Sequence, residues 1–134
     1  MSLQKAMGTR KDHFLKKFGL TAPQMHILYA VAHKRLTVKD IASKMGITSS
    51  AATQIIEGLV NLNYVERKPD SQDHRVVHVQ FSREGKKKFE NFKQSHQERM
   101  GQIFAALTDQ ELDALISIPR KILRRTKKFE TLLS

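Results

Sequence analysis

The chain has 134 residues, enough for one hydrophobic core and too few for two large ones. It carries 24 Lys plus Arg against 13 Asp plus Glu, a formal net charge of +11, with 40% hydrophobic residues. That balance describes a folded protein with a polyanionic partner, nucleic acid first and an anionic membrane surface second. Cysteine is absent, which excludes disulfides, thiolate metal sites, cysteine nucleophiles and thiol redox sensing.

No apolar run approaches the roughly 18 residues of a membrane span. The N-terminal segment MSLQKAMGTRKDHF lacks the apolar stretch of a signal peptide. A soluble, cytoplasmic protein is therefore expected, with no membrane partner.

In chain order, Leu3, Met7, Phe14 and Phe18 form the apolar stripe of a short first helix. Three later helices announce their starts in the same way. LTAPQM from Leu20, LTVKDI from Leu36 and LTDQEL from Leu107 each place Thr as N-cap, with Gln24, Asp40 or Glu111 three residues on. This is the capping box, or its Asp variant. The pairs Leu20/Met25, Leu36/Ile41 and Leu107/Leu112 have hydrophobic-staple spacing. Helices are expected from about residues 22, 38 and 109.

The helix from about 38 carries Val38, Ile41, Ala42 and Met45 on one face and stops at Gly46. After a short turn, Thr48 or Ser49 caps a helix that buries Ala52, Ile55, Ile56 and Leu59 and ends near Asn63, a residue that tolerates the left-handed conformation. The two form a helix-turn-helix. Between Gly46 and Tyr64 the only charged residue is Glu57. The second helix thus exposes a neutral face of Ser50, Thr53 and Gln54, with Thr48 and Ser49 at its start. Short hydroxyls and amides there suit base edges, and a helix N-terminus favours a phosphate. Lys34, Arg35, Lys39 and Lys44 before it, with Arg67, Lys68 and Arg75 after it, supply charge for phosphate positioning.

YVERK and RVVHVQF then alternate with a period of two around the turn-forming PDSQDH, which predicts a two-stranded hairpin with a polar tip. From Ser82 the period is helical again. Phe89, Phe92, His96, Met100, Ile103 and Leu107 make one stripe; Leu112, Leu115, Ile116, Ile122, Leu123, Phe129 and Leu132 make another. Pro119 is expected to kink or split the last helix. Lys86, Lys87 and Lys88, and the cations of RKILRRTKK from Arg120, read as solvated faces.

Over about residues 20–89 this order of elements resembles the multiple-antibiotic-resistance regulator (MarR) family of winged helix-turn-helix transcription factors. The most specific stretch is VERKPDSQDHRVVHVQFSREG, with Arg67, Asp73, Arg75 and Gly85 at the family's wing positions. Ser71 stands where Pro is frequent, His74 where a second Arg is common, Asn63 where Gly is usual, and FSREG replaces LTxxG.

The resemblance implies a mainly α fold with a small β-hairpin wing. It implies one domain over 1–134, in which 20–89 is the winged lobe and 1–19 and 90–134 are dimerisation helices. The implied function is that of a homodimeric repressor on a pseudo-palindromic double-stranded DNA operator, released by a small aromatic effector. By the same resemblance Arg75 reaches the minor groove or pairs with Asp73 to shape the wing. His74 lies at the tip, and His13, Lys17 and His26 are candidates to line an effector pocket, as is His96. The expected DNA-binding set is Lys39, Thr48, Ser49, Ser50, Thr53, Gln54, Arg67, Lys68, Asp73, His74 and Arg75.

An enzyme is not expected. Ser71, Asp73 and His74 have triad letters but share one short turn, where triad geometry cannot form. No two of the six His stand at ligand spacing on one predicted helix, and there is no Gly-rich phosphate loop. Neither cofactor nor metal is expected. The rival readings are a winged-helix module that binds protein, which the charge opposes, and a peripheral membrane protein.

Overall fold

The computed structural model describes residues 2–133, with backbone alone at residues 3, 4, 6–10 and 129–133. Its elements are α1 (Leu3–Lys16), α2 (Ala22–His33), β1 (Leu36–Thr37), α3 (Val38–Met45), α4 (Ser49–Asn61), β2 (Val65–Pro69), β3 (Val77–Phe81), α5 (Arg83–Phe104) and α6 (Asp109–Leu133). The chain divides into two compact units, residues 1–93 and 94–134, and α5 runs through the boundary.

The three capped helices begin where the Thr residues place them. Thr21 Oγ1 accepts from the Gln24 N–H at 3.4 Å while Gln24 Oε1 accepts from the Thr21 N–H at 3.0 Å. Thr37 and Asp40 repeat the exchange at 3.1 and 3.0 Å, and Thr108 and Glu111 at 3.2 and 3.0 Å. Hydrogen bonds from the N-cap backbone, and secondly from its hydroxyl, hold the Asp40 and Glu111 carboxyls below their ordinary range. A depressed folded pKa stabilises the fold above the ordinary carboxylate range, and that contribution is lost as pH falls through the depressed value.

The first unit's core gathers Phe14, Leu15, Leu20, Ile27, Leu28, Leu36, Ile41, Ile56, Leu59, Val79, Phe89 and Phe92, all buried. Leu20, Met25, Leu36 and Ile41 of the first two staples are among its buried residues. Aromatic rings knit the helices together: Phe18 meets Phe92 edge-on at 5.1 Å, Tyr29 meets Phe89 edge-on at 5.2 Å, and Phe81 stacks on Phe89 at 5.0 Å. Within the proposed stripes, the side chains of Leu3, Met7, Phe129 and Leu132 lie outside the described residues.

The expected two-stranded hairpin forms from β2 and β3, and a strand not expected from the sequence joins it: the sheet order is β1-β3-β2, with Leu36 opposite Val79 and Thr37 opposite His78. A two-residue strand has no period to detect, and Leu-Thr already serves as staple and N-cap. Of the two outcomes expected at Pro119, the split does not occur: the last helix runs unbroken from Asp109 to Leu133. A proline forfeits one helical hydrogen bond, and the turns on both sides carry the helix past it.

Helix α4 ends in a Schellman motif. Asn63 takes φ 59°, its N–H donates to Val60 O at 2.9 Å, and the Tyr64 N–H donates to Leu59 O at 2.9 Å. The start of α5 closes over this end. The Ser82 N–H donates to Tyr64 O at 3.1 Å, Ser82 Oγ to Asn63 O at 2.7 Å, and Lys88 Nζ to Leu62 O at 2.9 Å. Gly85 lies against Tyr64, where an added Cβ would stand 1.7 Å from the Tyr64 carbonyl oxygen.

This close approach makes a signed prediction. Helix propensity alone has Gly→Ala stabilise an interior helical position by about 1 kcal/mol. At Gly85 the methyl meets backbone that cannot rotate away, so Gly85→Ala should instead cost about 1–3 kcal/mol or more. At Gly101, also in α5, an added Cβ meets nothing within 4 Å, and Gly101→Ala should leave stability unchanged or raised. Urea unfolding of the two variants checks the opposite signs.

Candidate nucleic-acid interface

Helices α3 and α4 join through Gly46, whose φ of 65° is the left-handed turn that glycine adopts without penalty. Thr48 caps α4, its Oγ1 accepting from the Ala51 N–H at 3.1 Å. Ala52, Ile56 and Leu59 are buried, and Ile55 and Val60 are half-buried. That burial turns Thr48, Ser49, Ser50, Thr53, Gln54 and Glu57 outward, and all six are exposed. The neutral face expected from the sequence is formed.

Its hydroxyls are not equivalent. Thr53 Oγ1 donates to Ser49 O at 2.8 Å, so its proton is held inside the helix and only its lone pairs and methyl face outward. Among the described residues none hydrogen-bonds the Gln54 amide. Gln54 therefore presents a donor and an acceptor together, the pattern that reads adenine.

The wing is the β2–β3 hairpin. Pro69 ends β2, an edge strand, where the missing N–H costs little. At the tip, the Asp70 N–H donates to Val76 O at 2.8 Å, and Asp73 organises the turn. One oxygen, Asp73 Oδ1, accepts from both the Arg75 N–H and Arg75 Nε, each at 3.1 Å, and Arg75 Nη2 lies 3.5 Å from Oδ2. The Arg75 side chain is 93% exposed. Of the two roles raised for Arg75, pairing with Asp73 is formed, and it aims an exposed guanidinium outward. His74 beside it is exposed.

The unit that holds the neutral face also holds most of the charge. Residues 1–93 hold 17 Lys and Arg against 8 Asp and Glu, so +9 of the net +11 lies in the first unit. Lys34, Arg35, Lys39, Lys44 and Lys68 are all exposed. Two cations differ from the sequence reading. Arg67 Nη1 pairs with Glu57 Oε2 at 2.8 Å. Lys88 turns inward, held by Leu62 O, by Glu84 at 3.4 Å and over the Tyr64 ring at 5.4 Å. Sequence reasoning missed both. The signal for Arg67 was its parity with Val65 along the strand.

His13, Lys17 and His26 are all exposed. A cleft of about 250 Å³ takes in Lys17 with Phe18, Leu62, Tyr64, Lys88 and Asn91, without His13 or His26. Among the described residues no cluster of three or more His, Asp or Glu is placed to hold a metal ion, and no described helix is long and apolar enough to cross a membrane.

The MarR family model matches residues 18–76. The HTH-type transcriptional repressor YetL of Bacillus subtilis is 22% identical over 131 residues, covering 96% of this chain and 78% of YetL. YfiV of the same organism, an uncharacterized HTH-type transcriptional regulator, is 30% identical over 116 residues, covering 84% of this chain and 72% of YfiV. The structure of a MarR family protein from Bacillus stearothermophilus superposes with a TM-score of 0.77 at 20% identity, over 93% of this chain and 88% of that one. Motif, fold and relatives agree: the chain belongs to the MarR family of winged helix-turn-helix transcriptional regulators.

Proposed function

We propose that the protein is a homodimeric, sequence-specific repressor that places α4 of each subunit in a major groove of a pseudo-palindromic operator. The observation that carries this reading is the neutral, exposed face of α4 set among exposed cations. Gln54, Ser50, Ser49 and Thr53 read bases; Thr48 and the α4 N-terminus meet a phosphate; Lys39 and Lys68 neutralise phosphates; Arg75, aimed by Asp73 beside His74, enters the minor groove. Residues 20–89 form the DNA-binding lobe, and 1–19 and 90–134 serve the dimer. YetL, by its name a repressor, supports the direction of control.

Dimerisation is supported by the second unit. Ile103, Leu115, Ile116, Ile118, Ile122 and Leu123 are 42–62% exposed. The five on α6 recur at helical spacing and form an apolar stripe that a single subunit leaves in water. A small aromatic effector acts by preferring one arrangement of the lobes and so shifting DNA affinity. The cleft that Lys17 lines, with the Lys88 ammonium over the Tyr64 ring, is the place we assign to it, in preference to His13 and His26.

Sedimentation at micromolar concentration should show a dimer, and a folded monomer would remove the dimer from the proposal. Binding should weaken steeply with salt. If a dimer neutralises on the order of 6–10 phosphates, log K falls with log salt at a slope of roughly −5 to −9, readable by fluorescence anisotropy at several salt concentrations.

Gln54 and Arg75 should fail differently. Gln54→Ala should cost about 1–3 kcal/mol on the selected operator and far less on random DNA, because only a base contact carries sequence information. Arg75→Ala should weaken both DNAs and lower the salt slope by about one for each phosphate left without its cation. Parallel titrations of operator and random duplex decide between reading and positioning.

A further inference from the structure

Glu57 is the one charged residue between Gly46 and Tyr64, and it is an acid on the helix face turned toward a polyanion. An unpaired carboxylate there would repel phosphates. A base contact is poorly placed: Glu57 lies nine residues beyond the Thr48 cap, roughly 13 Å along the axis, whereas recognition helices read with their N-terminal residues.

The strand register supplies its partner. Val65, Arg67 and Pro69 stand opposite Phe81, Val79 and Val77, so these six side chains share one face of the hairpin. Val65 and Val79 are buried, which identifies that face as the one on the core. Arg67 therefore leaves the strand on the core side. Its guanidinium reaches the edge of the core and meets the Glu57 carboxylate at 2.8 Å, with the two side chains 33% and 53% exposed. Glu66, on the opposite face, bonds Gln80 instead, at 2.9 Å.

We propose that Glu57 and Arg67 are a positioning pair. Their ion pair ties the middle of α4 to the middle of β2 and fixes the angle between the groove-reading helix and the wing; neither side chain is a DNA contact. The proposal rests on α4 being the reading helix. A half-exposed pair adds little to the stability of the free protein. Bound DNA excludes water from this surface and lowers the local dielectric, so the pair strengthens when helix and wing must hold their spacing. It also leaves the charge facing the phosphates unchanged, since each partner neutralises the other.

Removing Glu57 gives a result that bare electrostatics would not. Deleting an acid from a DNA-facing helix should tighten binding if charge alone counts. Glu57→Ala should instead weaken operator binding about fivefold or more, with the salt slope unchanged. Glu57→Gln keeps a carbonyl acceptor for Arg67 and should weaken binding less. Arg67→Met should also weaken operator binding without lowering the slope, and the Glu57→Ala/Arg67→Met double variant should bind no worse than the weaker single variant. Thermal midpoints should match wild type, which a merely structural role would not allow at this loss of affinity. Gln54→Ala is measured beside them. If it loses operator preference while Glu57→Ala binds as well as wild type or better, or while Arg67→Met lowers the slope by about one, the positioning pair is wrong and the reading of α4 stands. If Gln54→Ala keeps full preference, α4 is not reading through that face and the proposal falls with it.

Discussion

The way α4 ends governs what its other end can do. A left-handed Asn63 closes the helix and turns Tyr64 back so that its side chain is buried and its carbonyl faces the first turn of α5. There the backbones of Tyr64 and Gly85 approach so closely that not even a methyl group fits. Ser82 binds on both sides of this approach, accepting from the Gly85 N–H at 2.8 Å and donating to Asn63 O. Lys88 adds a positive charge at the negative end of the helix dipole. A helix held this way has little freedom to slide, and the exposure of Gln54 and its neighbours follows from where the buried side is pinned.

Much of this was legible because its causes are local. A Thr with Gln, Asp or Glu three residues later states a helix start in four letters, and all three such helices begin where those letters stand. Gly46 and Asn63 mark left-handed stops for the same reason: few side chains accept that backbone. The neutral face of α4 could be read from spacing, since burying Ala52, Ile56 and Leu59 leaves only one direction for the rest.

What escaped the sequence depends on pairings between distant segments. β1 is two residues long and exists only because β3 passes beside it. Arg67 counted as one more cation near the wing until the register placed it with Val65 and opposite Val79. The run Lys86–Lys88 looked uniform, yet Lys86 and Lys87 are exposed while the third cation faces the end of α4. Of the residues expected near an effector, Lys17 lines the cleft it shares with Phe18, Leu62, Tyr64, Lys88 and Asn91, a grouping that the fold brings together from three separate segments.

The separation of neutral reader from charged flanks in the proposed function has a thermodynamic reason. Phosphate attraction is the same for every sequence, so a cation placed on the reading face raises operator and random affinity together and leaves their ratio unchanged. Specificity is that ratio, set against an excess of competing sites. A face of amides and hydroxyls contributes little until a base edge matches it, and an unmatched edge leaves its donors and acceptors unpaired against DNA. Charge acts best beside such a face, and in the proposed function Lys39 and Lys68 supply it there, bringing the protein to DNA without favouring any sequence. The acid that remains, Glu57, is compatible with this division because Arg67 neutralises it. An uncharged helix at the centre of a strongly basic chain is therefore what discrimination between sequences requires.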